Sequence, residues 1–117
     1  MRPRRRHTVV FVATVAASAL LGFSAVADTD IGIDQFSFRP ERLTVKAGTT
    51  ITWTNDDDIP HTVASSNQLF KSKALDTADK FSFTFRTPGV YEYFCSIHPH
   101  MTGTIVVETA AGTRSVQ

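Results

Sequence analysis

The sequence predicts an all-β fold, a Greek-key β-sandwich of about seven to eight short strands. Two observations carry that expectation. Apolar and polar residues alternate with period two through most of the span from Ile31 to Val107, the pattern of half-buried strands. Turn signals built on Gly, Pro, Asn and Asp break the alternation at intervals of about 8–12 residues, as in sandwiches. Neither an internal repeat nor a heptad pattern is present.

The first 27 of the 117 residues differ from the rest. Arg2, Arg4, Arg5 and Arg6 make a basic start, Val9 to Phe23 run apolar and small, and Ala25-Val26-Ala27 supplies an A-x-A cleavage pattern. Residues 1–27 read as a secretory signal and residues 28–117 as a single domain. An uncleaved anchor is the competing reading, since about 20 apolar residues cross a bilayer. The paired arginines leave the twin-arginine export route open beside the general one. With the signal removed, the domain has no membrane-spanning stretch and is expected in the periplasm.

Through the domain, Ile31 to Phe38 alternates and stops at Pro40, one strand. Leu43 to Lys46 is a second, ended by the Ala47-Gly48 turn. Thr49 to Thr54, β-branched around Trp53, is a third of high propensity. Asn55 to Pro60 is a polar loop, and His61 to Ala64 resumes extension. Ser65 to Asp79 fits a short strand, a helical turn or a loop. Phe81, Phe83 and Phe85 then place three rings on one face of a strand. Thr87-Pro88-Gly89 turns into Val90 to Phe94, which delivers Cys95 at its end, and Thr104 to Glu108 is the last strand.

Charge excludes one class of partner. The whole chain carries a formal +1, but from Asp28 onward 8 basic residues (12 less the four of the signal) face 11 acidic ones, a net of −3. Nucleic acid is excluded, because phosphate binding needs a basic stripe.

Cys95 is the only cysteine, so it has no internal disulfide partner. A lone exported cysteine is intermolecular, buried and inert, or held by a metal. Its neighbours decide. Cys95-Ser96-Ile97-His98-Pro99-His100-Met101 offers a thiolate, an imidazole and a thioether in one loop, and His61 stands 34 residues upstream of the cysteine. Two histidines, one cysteine and a weak axial methionine are the ligand set of a type I copper site. Thiolate and thioether suit Cu(I), imidazole suits both oxidation states, and a site acceptable to both reorganises little when an electron moves. After removal of the signal the chain has one Cys and one Met, both in this loop. Structural zinc, the competing metal, prefers four Cys or His ligands and does not want methionine. His100 is read as a solvent-facing neighbour, since the loop's ligand places are already taken.

On these motifs the sequence resembles the cupredoxin family of type I copper proteins. The resemblance spans nearly all of residues 31–108: Pro60-His61 after the Trp53 strand, Gly89 to Cys95, and the short loop Cys95-x-x-His98-x-x-Met101. Within the family that loop is most like amicyanins, with pseudoazurins and plastocyanins more distant. The resemblance implies a periplasmic one-electron carrier with one copper ion per chain, held by His61, Cys95, His98 and Met101. It also implies a monomer that meets its redox partner proteins transiently and is not an enzyme. The alternative is a module that stores or delivers Cu(I), although carriers of that kind usually expose several methionines. Two positions depart from the family pattern: Thr62 stands where many members have the Asn that ties the ligand loops, and His100 replaces an aromatic. An apolar rim of Ile59, Pro60, Ile97 and Pro99 is expected around His98, bordered by Asp56, Asp57 and Asp58.

Overall fold

The computed structural model describes residues 9–13 and 28–111. Most of the signal expected over residues 1–27 lies outside the described residues. Among the described residues no helix is long and apolar enough to cross a membrane.

Eight strands form the two layers: β1 Asp28–Asp34, β2 Ser37–Arg39, β3 Arg42–Lys46, β4 Thr49–Asn55, β5 Ala64–Ser65, β6 Lys80–Phe85, β7 Gly89–Phe94 and β8 Thr102–Glu108. One sheet runs β2-β1-β4-β6 and the other β3-β8-β7-β5. The chain therefore changes layer after β2, β3, β4, β5 and β6, and the sandwich expected from the sequence is present. Two pairings are parallel, β1 with β4 and β3 with β8, which alternation alone cannot foretell.

Burial follows the pleat. Ile31 and Ile33 of β1, Ile51 and Trp53 of β4, Phe85 of β6, Tyr93 of β7 and Ile105 and Val107 of β8 meet between the sheets. Trp53 is fully buried, with the rings of Phe70, Phe81, Phe85 and Tyr93 centred 5.4–6.4 Å from its own. Tyr93 lies across Gly103, its cross-strand partner, where any Cβ would collide with the ring.

Two stretches differ from the sequence expectation. The run from Ile31 to Phe38 is a hairpin, because Gln35 (φ 50°) and Phe36 (φ 56°) both turn left-handed between β1 and β2. Such turns favour Asn-Gly, and the left-handed region costs an ordinary side chain about 1–2 kcal/mol. The segment Ser65 to Asp79 holds no long strand. It is pinned by isolated bridges, Ala64 to Lys71 and His61 to Leu75, and by short backbone hydrogen bonds such as Ser72 N–H to Val63 O at 2.8 Å.

Candidate metal centre

The β4–β5 connection and the β7–β8 loop lie side by side. Asn55, fully buried at the end of β4, shapes the first. Its amide donates to the carbonyls of Ile59 (2.9 Å) and Leu75 (2.8 Å), and its Oδ1 accepts the Asp57 N–H at 2.9 Å. His61 and Leu75 then exchange both backbone hydrogen bonds. The loop carrying His61 is thus fixed before any ligand is considered.

The second loop closes on itself. Cys95 N–H donates to Met101 O (3.0 Å), His98 N–H to Cys95 O (3.2 Å) and Met101 N–H to His98 O (2.9 Å). This turn holds the thiol, imidazole and thioether positions within one compact unit.

His61 Nδ1 and His98 Nδ1 stand 3.2 Å apart, and they lie 3.9 Å and 3.7 Å from Cys95 Sγ. His61 and Cys95 are fully buried, Met101 is buried and His98 is half-buried. A first-row ion about 2.0–2.1 Å from nitrogen and about 2.3 Å from sulfur could be reached by all three atoms at once. A tetrahedral ion at the same distances would set each nitrogen about 3.5–3.6 Å from sulfur. The observed nitrogen–sulfur edges are somewhat longer, 3.9 and 3.7 Å, and the nitrogen–nitrogen edge is 3.2 Å, so the donor set suits a His2Cys copper site.

Three outer contacts prepare these atoms. The Asp57 carboxylate accepts from His61 Nε2 at 2.8 Å, which leaves the Nδ1 lone pair facing the cluster. That hydrogen bond, followed by the Phe36 N–H, holds the Asp57 carboxyl below its usual range. Asp57 was expected at an acidic border with Asp56 and Asp58; only those two are exposed, and Asp57 instead orients a histidine. Thr62 donates its N–H to Cys95 Sγ at 3.3 Å, with its hydroxyl 3.7 Å away. The same hydroxyl oxygen accepts Ser96 N–H at 2.7 Å and meets Ser96 Oγ at 2.7 Å. Thr62 therefore ties the ligand loops together. The third contact is Phe36, whose ring meets both imidazoles edge-on, 5.5 Å from His61 and 5.0 Å from His98. His100 is exposed, as expected.

These contacts act on the thiol. Burial opposes ionisation of Cys95 and is the largest single influence. The Thr62 N–H, His61, the Ile97 N–H and the Thr62 hydroxyl together outweigh it and lower the metal-free pKa from 9.0 to about 6. Because the folded value is the lower one, the resulting stability is complete above pH 9.0, declines as pH falls, and is gone below about 6. Metal-free protein is therefore expected to need less denaturant to unfold at pH 5 than at pH 8, in urea titrations at several pH values. A Cys95→Ala control should flatten that part of the profile.

The profile of the cupredoxin-like domain matches residues 7–107. Amicyanin of Paracoccus versutus is 32% identical over 83 residues, 67% of this chain and 63% of that protein, so the chain spans just under two thirds of that relative. Chloroplastic plastocyanin of Tetradesmus obliquus is 30% identical over 117 residues, covering 83% of this chain and 81% of its own. Among solved structures, a purple cupredoxin from Nitrosopumilus maritimus superposes with a TM-score of 0.66 at 39% identity, over 69% of this chain and 100% of that one.

Proposed function

The chain belongs to the cupredoxin-like family, and on that premise we propose that it is a periplasmic one-electron carrier with a mononuclear type I copper site. The cofactor is copper, one ion per chain. The observation that carries the reading is the convergence of His61 Nδ1, His98 Nδ1 and Cys95 Sγ, with His61 and Cys95 buried and His98 half-buried. These three would hold the ion together with Met101, which is buried in the same closed loop and offers its thioether as a fourth ligand. Copper supplies the redox step, holding one electron more as Cu(I) than as Cu(II).

The protein's own contribution is to hold one geometry for both states. Asp57 fixes the orientation of His61, and Asn55 and Leu75 fix its backbone. Thr62 steadies the sulfur by donating to it, and such outer hydrogen bonds tune a metal centre. A site that changes little on gaining an electron exchanges it quickly.

His98 is the proposed point of exit, since it is partly exposed whereas His61 is not. Of the four residues expected as an apolar rim, Pro60, Ile97 and Pro99 are exposed and Ile59 is half-buried, and such a rim suits the small interfaces of electron-transfer encounters. The partners are redox proteins met transiently by a monomer. The role is that of a carrier, not an enzyme, and residues 1–27 are its export signal.

The test is to express the full chain and recover protein from the periplasm. The expected product has a mass beginning at Asp28, one copper and an intense visible band, blue from thiolate-to-copper charge transfer, that bleaches and returns with one electron. A colourless copper-loaded protein would point instead to Cu(I) storage or delivery. Full-length chain in the inner membrane would make the apolar run an anchor.

A further inference from the structure

Phe36 stands out on four independent counts. It is a large apolar side chain left 53% exposed. Its backbone is left-handed, a conformation uncommon for a bulky residue. Its ring touches the two imidazoles whose Nδ1 atoms converge with Cys95. Its N–H donates at 3.1 Å to Asp57 Oδ2, the same oxygen that binds His61 Nε2. The Gln-Phe pair at the hairpin tip has no intrinsic preference for this turn. Backbone strain that persists at a functional site signals that the surroundings over-determine it. Here the ring contacts and the Asp57 hydrogen bond all lead to the metal cluster.

We propose that Phe36 is an apolar cap on the metal centre, which keeps water, small anions and chelators from the imidazole edge. One side of the ring covers His61 and His98, and the remainder faces solvent. Asp57 is the latch, because one carboxylate oxygen holds both the hairpin tip and the buried histidine. Access of exogenous ligands is then set by a hairpin that contributes no ligand of its own.

This proposal rests on the copper reading, and the experiment keeps the two apart. Phe36→Asn removes the ring yet keeps a residue that tolerates the left-handed turn; Phe36→Tyr retains the ring. Two responses are compared with the parent chain. The first, in metal-free protein, is the rate at which iodoacetamide alkylates Cys95, the only cysteine. The second, in oxidised copper-loaded protein, is the azide concentration that perturbs the visible spectrum. Phe36→Asn should raise the alkylation rate about tenfold and lower the half-effective azide about tenfold. Phe36→Tyr should match the parent in both. Unchanged responses in a Phe36→Asn protein with native circular dichroism overturn the cap. Faster alkylation with an unchanged azide response also overturns it, because the ring would then guard only the thiol. Should the parent chain show no copper band, the copper reading fails, and alkylation alone decides whether Phe36 covers the cluster.

Discussion

Replacing Cys95 by serine is expected to abolish the visible band and to weaken copper binding by more than about 100-fold, beyond the effect of losing an outer hydrogen bond to a ligand. The hydroxyl is a hard donor that stays protonated, and it supplies neither the charge transfer nor the affinity for Cu(I) that a thiolate gives. The substitution itself is expected to leave the sandwich folded, since serine is close to cysteine in size and Cys95 is one small member of the core. Visible spectroscopy and competition with a copper chelator measure the loss, and circular dichroism checks the fold. An intense band surviving in Cys95→Ser would remove the thiolate from the centre. Met101→Leu is the contrasting case: copper and colour are expected to remain and the potential to rise, because a thioether would be the weakest of the four ligands. Unchanged potential in that variant would reduce Met101 to a packing residue.

Trp53→Ala is expected to cost about 3–5 kcal/mol, the range for deleting a buried aromatic. The ring touches four others and belongs to β4, which lies between β1 and β6 in its sheet. The sheets cannot close over so large a void without breaking the register that places Asn55 at the end of the same strand. Small domains are stable by only about 5–15 kcal/mol, so much of the total is lost. Urea denaturation of metal-free protein reads the change directly. A cost under about 1 kcal/mol, as for volume-conserving swaps, would show that the core repacks around the gap.

The sandwich was legible because strand alternation is a local signal, and Trp53, Phe85, Tyr93 and Ile105 declare their faces in sequence. The converging histidines and cysteine were legible because their chemistry is unusual in combination. Other features depend on three-dimensional encounters that no local pattern encodes. Asp57 lies four residues before His61, yet nothing separated it from Asp56 and Asp58 until Asn55 had fixed the loop. Phe36 looked like one more residue of an alternating strand, because a left-handed Gln-Phe turn carries no turn signature. Thr62 was seen as a departure from the family pattern. Its N–H to the sulfur is a backbone contact that any residue can make, whereas its tie to Ser96 needs a hydroxyl.

The seven-residue loop Cys95 to Met101 is bounded by the last β7–β8 pair, Phe94 with Thr102, and is closed by hydrogen bonds among its own residues. Three of its residues are proposed ligands, and its side-chain ties to the opposite loop pass through Ser96 and Cys95. Such a segment is a cassette. Electronic character and scaffold durability meet in two of its residues, Cys95 and Met101, which also belong to the hydrophobic core.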